Sequence, residues 1–96
     1  MIRGFGDAAT SDLAEDRRTA RARRFPPEIR RSALRKLQLI HRARDLNDLR
    51  VPPGNRLEAL TGDWAGFYSI RINQQWRIVF RWEDGDAFDV MITDYH

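Results

Sequence analysis

Arg71, Arg77 and Tyr95 are spaced to fall on one face of a β-sheet, with His96 next along the chain. These residue types suit the handling of an anion. In the register argued below, Arg71 and Arg77 lie opposite each other with no carboxylate between them. Like charges so placed destabilise a sheet by up to about 1 kcal/mol. The planar fork of arginine binds two phosphate oxygens at once. An imidazole with an ordinary pKa near ~6.5 gives or takes a proton at neutral pH. The plainer reading is a solvated strand face with splayed arginines. The tyrosine and histidine beside them favour a binding surface instead.

The elements that must position these residues are three strands. Residues 67–72, 76–82 and 87–96 are rich in aromatic and β-branched side chains, and polar turn residues separate them. A one-residue slip would turn every side chain over, so the apolar pattern fixes the register. Ile70, Ile72, Trp76, Ile78, Phe80, Trp82, Phe88, Val90 and Ile92 share the core face. Residue 72 then lies opposite 76, 70 opposite 78, 82 opposite 88, 80 opposite 90 and 78 opposite 92. Both hairpins have three-residue loops, at Asn73–Gln75 and around Asp84-Gly85. On the other face Arg71 meets Arg77, and Arg81 meets Asp89.

Upstream, Met1–Phe5 reads as a short strand at a sheet edge. Residues 7–24 hold Leu13 as their only large apolar side chain beside a run of arginines. They are expected to be mobile, with a short helix capped by Ser11 or Asp12. Pro26-Pro27 opens a helix over residues 27–44, with Ile29, Ala33, Leu37, Ile40 and Arg44 in one stripe. His41 is a lone histidine with a structural role. Residues 51–55 form a loop, and residues 57–60 a short strand. The expected fold is α+β, one domain over residues 1–96. A helix or two covers one face of a small, mainly antiparallel sheet, and the arginine face is left bare.

Composition narrows the chemistry. The chain has no cysteine, so neither a disulfide nor a thiolate site is available. No apolar run approaches the roughly 20 residues of a membrane span, and the first residues lack a signal peptide's apolar core. A cytoplasmic protein is expected. Residues 1–56 carry 14 basic and 7 acidic side chains, against 3 and 7 in residues 57–96. A basic half of this kind is an electrostatic footprint for nucleic acid.

Trp76-Arg77-Ile78 and Asp94-Tyr95-His96 resemble the RelE/ParE toxin superfamily, in particular its HigB branch and GraT-like members. Residues 52–58 (Pro-Pro-Gly-Asn-Arg-Leu-Glu), Gly62-Asp63, Ser69-Ile70-Arg71 and Asn73 match as well. The resemblance covers about residues 34–96 and Met1–Arg3, and is poor over residues 6–33. It implies a RelE-like fold and a toxin of a type II toxin–antitoxin pair. Such a toxin cuts messenger RNA in the ribosomal decoding site and needs no metal or cofactor. A HigA-like antitoxin with a helix-turn-helix domain neutralises it, and the complex represses its operon.

On this resemblance Arg77, Asp94, Tyr95 and His96 inherit the active-site roles, and Arg56, Arg71 and Asn73 bind RNA. Arg77, helped by Arg71, would stabilise charge on phosphate while His96 moves a proton. Tyr95 would stack on a base or orient the attacking oxygen. Asp94 would orient His96 or hold an arginine, although in this register it points away from Tyr95. Some family members have histidine and lysine where this chain has Glu58 and Thr61, and arginine where it has Asn73. The site is poorer in bases and cations for that. Glu58 is either a replacement base or an ordinary surface glutamate. The alternatives are a non-catalytic inhibitor of the same fold, binding a topoisomerase or ribosomal RNA, and a protein left only with operon regulation.

Overall fold

The computed structural model describes residues 1–94. Two helices, α1 (Ala8–Ala14) and α2 (Pro27–Arg42), lie against a sheet of four strands. These are β1 (Glu58–Ala59), β2 (Phe67–Arg71), β3 (Trp76–Glu83) and β4 (Asp86–Asp94), antiparallel and in chain order across the sheet. Pro27 suits the first turn of α2, where its missing N–H would have had no partner. Glu28 in that turn and Arg42 in the last complement the helix dipole. Ile29, Ala33, Leu37 and Ile40 are buried along one stripe and share a core with Ile70, Ile78, Phe80, Val90 and Ile92. The helix ends two residues earlier than expected. Ala43 turns extended with ψ 134°, and Arg44 is exposed beyond it. Phe25 is buried just before the helix, its ring edge-on to Trp76 with centroids 5.9 Å apart.

The β2–β3 hairpin has the expected register, with Tyr68 opposite Phe80, Ile70 opposite Ile78 and Arg71 opposite Arg77. The β3–β4 hairpin corrects the sequence reading. Glu83 pairs with Asp86, so the loop is Asp84-Gly85 alone, with φ of 49° and 81°. Positive φ at both central positions gives a turn whose twist matches its strands. The residue missing from the loop returns as a β-bulge. Val79 pairs with Met91 and Arg81 with Phe88, so Phe80 spans both Asp89 and Val90, and Asp89 takes φ 53°.

Past the bulge Ile78 meets Ile92 as expected. Nearer the turn the register is shifted. Trp82 lies opposite Ala87, not Phe88, and Arg81 opposite Phe88, not Asp89. Phe88 therefore leaves the core face, and the Arg81 guanidinium sits 5.7 Å from its ring centroid. The Arg81–Asp89 ion pair still forms across the bulge, at 2.8 Å.

The expected N-terminal strand is reduced to two isolated parallel bridges on β4, Ile2 to Ala87 and Phe5 to Val90. They occupy β4's outer edge, which an unpaired strand would otherwise offer to other chains. His41 is structural, its Nδ1 accepting the Ile2 N–H at 3.2 Å.

Helix α1 is capped by Asp7, not by Ser11 or Asp12, through a 2.7 Å bond from Thr10 N. The Thr10 hydroxyl is buried and accepts the Ile92 N–H at 3.0 Å, tying α1 to β4. Asp12 is buried too. It accepts from Thr19 Oγ1 at 2.8 Å and Arg21 Nε at 3.0 Å, with Arg17 Nη1 3.6 Å away. A carboxylate stays charged out of water only when so partnered. The Thr19 bond first, then Arg21 and Arg17, hold its pKa below the ordinary carboxylate value against the opposing effect of burial. The arginine-rich linker is thus organised around one carboxylate.

Candidate active site

The turn between β2 and β3 builds one wall of the site. Asn73 Oδ1 accepts the N–H groups of Gln75 and Trp76, each at 2.8 Å. The asparagine side chain thereby mimics a backbone turn. Ile72 N donates to Trp76 O at 2.9 Å, so the loop has the three residues expected of it. Arg71 folds back over this turn, its Nε donating to Asn73 O at 3.0 Å.

The opposite wall comes from the loop before β1. Asn55 is fully buried, its amide donating to Leu49 O at 3.1 Å and Val51 O at 3.3 Å. Its Oδ1 accepts from Lys36 Nζ, which pins the loop to α2. Burial first, and then the charge of Arg35, push the Lys36 pKa below the ordinary lysine value. So anchored, Arg56 turns left-handed at φ 45° and aims its carbonyl into the sheet.

Arg77 joins the two walls. It was expected on a bare face without compensation, and the structure corrects this. Arg77 is only 7% exposed and is the one buried arginine among the described residues. Its Nε donates to Ser69 Oγ at 2.9 Å and its Nη2 to Arg56 O at 2.9 Å. Glu58 Oε1 lies 3.9 Å from the same Nη2. Several fixed acceptors make Arg77 a rigid cation rather than a splayed one.

Arg56, Glu58, Arg71, Asn73, Gln74 and Arg77 line one cleft of about 550 Å³. Such a volume suits a nucleotide-sized ligand. Three guanidinium groups against one carboxylate leave the cleft electropositive, so a phosphate is the ligand it fits. The structure thus brings together four of the sequence-derived candidates: Arg56, Arg71, Asn73 and Arg77. Asn73 also has its side-chain oxygen committed to the turn.

Asp94 stands apart from that group. It ends β4 opposite Trp76, is exposed, and accepts from Gln75 Nε2 at 3.1 Å. It lines a neighbouring cleft with Glu58, Trp64, Val79 and Thr93. Tyr95 and His96, the other two candidates, lie outside the described residues. Among the described residues no three His, Cys, Asp or Glu side chains group so as to hold a metal ion.

Ser69 and Asn55 were not anticipated. Their only signal in the sequence is position: Ser69 is a small polar residue inside an apolar strand, and Asn55 follows Pro-Pro-Gly in the stretch that carries the resemblance. Glu58, considered only as a spare base, borders both clefts.

Residues 5–96 match the family model for HigB-like toxins, described as the RelE-like toxin of type II toxin–antitoxin system HigB. The chain is 40% identical over 95 residues to toxin HigB-1 of Vibrio cholerae, spanning 99% of this chain and 98% of that one. It is 36% identical over 61 residues to endoribonuclease HigB of Proteus vulgaris, spanning 64% and 65%. Among solved structures, a YafQ variant of E. coli superposes with a TM-score of 0.64 at 16% identity, covering 98% of this chain and 91% of that one. YoeB in its complex with YefM from Staphylococcus aureus gives 0.61 at 18%, covering 100% and 98%. At such identities the two structures establish the fold alone.

Proposed function

The chain belongs to the HigB-like toxins, RelE-like members of type II toxin–antitoxin systems, and on that premise we propose that it is an endoribonuclease that cuts messenger RNA on the ribosome. The observation that carries the proposal is the fixed Arg77 guanidinium, held in one cleft with Arg71 and Arg56. The name of the Proteus vulgaris relative, endoribonuclease HigB, supports the same activity.

The reaction is an internal transesterification. The RNA 2′-oxygen bonds to the adjacent phosphorus, and the bond from phosphorus to the 5′-oxygen breaks. A base takes the 2′-hydroxyl proton, and an acid delivers one to the departing 5′-oxygen. Arg77 and Arg71 stabilise the negative charge that grows on phosphate. Donors fixed beforehand do this without reorganising during the reaction, and removing one typically costs ~10²–10³-fold in rate. His96 moves a proton and Tyr95 orients the nucleotide. Asp94 steadies this end of β4 through Gln75. Glu58 provides a second proton acceptor at the cleft, and Arg56 and Asn73 hold the flanking RNA. The reaction uses no metal and no cofactor.

The partner in the cell is an antitoxin, as the family's description states. A HigA-like antitoxin, contact with operator DNA through it, the ribosome with its message, and a cytoplasmic site of action complete the proposal. Among the described residues no helix is long and apolar enough to cross a membrane.

Expression without an antitoxin tests the proposal. Growth should slow and translated messages should carry cuts, which persist under chelation of divalent ions when polyamines keep the ribosomes intact. Arg77→Ala and deletion of His96 should each relieve growth inhibition while antitoxin binding persists. Intact messages with altered DNA supercoiling would replace this reading with that of a topoisomerase inhibitor.

A further inference from the structure

The second cleft, beside the arginine cleft, shares Glu58 and Asp94 with the mechanism above, which leaves its Trp64 without a role. It is lined by Glu58 and Leu60, by Trp64, and by Val79, Thr93 and Asp94, with a volume of about 300 Å³. Residues of β1 and β4, the outermost strands, line it together with Val79 of β3, so the sheet curls around this face. Trp64 is one of few large apolar side chains left exposed, at 40%. Its ring is fixed edge-on to Phe67, with centroids 5.1 Å apart and planes at 87°. A held, exposed indole presents a stacking surface at little cost in ordering.

Continuity with the arginine cleft identifies the occupant. Glu58 borders both spaces, and its carboxylate lies 3.9 Å from Arg77 Nη2. An anion held by Arg77 therefore has the Trp64 cleft next to it, as a phosphate in RNA has a base next to it. The rim carries carboxylates at Glu58 and Asp94, which only accept hydrogen bonds when ionised. Adenine, cytosine and guanine each present an exocyclic amino group to such acceptors. Uracil presents two carbonyl oxygens beside a single ring N–H.

We propose that this cleft is a nucleobase subsite, in which Trp64 stacks on a base of the bound RNA and the Glu58–Asp94 rim selects bases bearing an amino group. The inference rests on the endoribonuclease reading for its substrate, and it adds where the sequence preference of cutting arises.

Two measurements test it. Cut sites are mapped in messages from cells expressing the wild-type chain, Trp64→Phe or Trp64→Ala without antitoxin. Stacking on an aromatic side chain is typically worth about 5- to 150-fold when that side chain is cut to alanine. Trp64→Ala should cut slower by a factor in that range and, with the base no longer held against the rim, discriminate less against uracil, whereas Trp64→Phe should keep the preference. Unchanged cut sites and rates in Trp64→Ala would overturn the subsite. So would a variant that cuts normally and loses only antitoxin binding. The second measurement needs no cleavage. Adenosine 3′-monophosphate, uridine 3′-monophosphate and inorganic phosphate are titrated into the wild-type protein, with the Trp64 indole N–H followed by NMR. The adenosine nucleotide should bind more tightly than the other two and shift that resonance. Equal affinities, or a resonance that does not move, would overturn the subsite. Tight nucleotide binding by a protein that leaves messages intact would uphold the subsite and overturn the nuclease reading.

Discussion

Ser69 on β2 accepts the Nε–H of Arg77 on β3 at 2.9 Å, with both residues buried. The aim of the guanidinium is therefore set from the neighbouring strand, and Arg56 O fixes its other end.

Ser69→Ala removes that acceptor and leaves a buried N–H of a charged group without it. We expect a loss of about 2 kcal/mol, the usual scale for a hydrogen bond to a charged group. Urea unfolding should show a lower midpoint at an unchanged slope. Growth inhibition should weaken with it, because Arg77 loses one of its fixed ends. A midpoint equal to that of the wild-type protein would mean that Ser69 does not hold Arg77.

Asn55→Ala releases the loop that carries Arg56. The carbonyls of Leu49 and Val51 and the ammonium of Lys36 lose a common partner. A loss of about 3 kcal/mol is expected from several buried groups unsatisfied at once. Asn55→Asp should recover only part of it, since a carboxylate accepts from Lys36 but donates to neither carbonyl. Thermal unfolding of the three proteins orders them; full recovery by aspartate would refute the double role of the amide.

Asp12 makes stability depend on pH. Its folded pKa is held below the unfolded value, chiefly by the Thr19 hydroxyl. The stabilisation is therefore complete above the unfolded carboxylate pKa of about 3.9 and is lost as pH falls through the lower, folded value. Asp12→Asn should be less stable at pH 7, and its stability should change less on acidification. Parallel pH curves for the two proteins would show that Asp12 contributes nothing to this dependence.

Gly85→Ala strains the β3–β4 turn. The glycine has φ 81°, and an added Cβ would approach Arg44 O to 3.2 Å. A left-handed backbone costs a non-glycine residue roughly 1–2 kcal/mol, so a loss of that size is expected in urea unfolding. No loss would mean that the turn readily adopts another geometry.

The sequence reading and the structure agree where side-chain alternation was the only variable. The β2–β3 register and the Arg71–Arg77 pairing were legible for that reason, and the helical period identified the α2 stripe except for Arg44. The second hairpin was not. A three-residue loop without a bulge and a two-residue loop with one both place Ile78 opposite Ile92, so residue counting cannot separate them. Only residues between turn and bulge, Arg81, Trp82, Ala87, Phe88 and Asp89 among them, change partners. The arginine cleft was legible in its cations and illegible in what holds them. Ser69, Asn55 and Asp12 are small polar residues whose partners lie 4 to 19 residues away, outside the element that carries each, so neither the helical nor the strand period marks them. Arg77 was expected to lie bare for the same reason.

The Lys36–Asn55 contact gives the chain a built-in chemical reporter. Lys36 is its sole lysine, and that side chain is partly buried and engaged. An acylating reagent can modify this amine freely only once the Pro52–Arg56 segment lifts away. Mass spectrometry of the tryptic digest would then time the opening of the arginine cleft without any label being introduced.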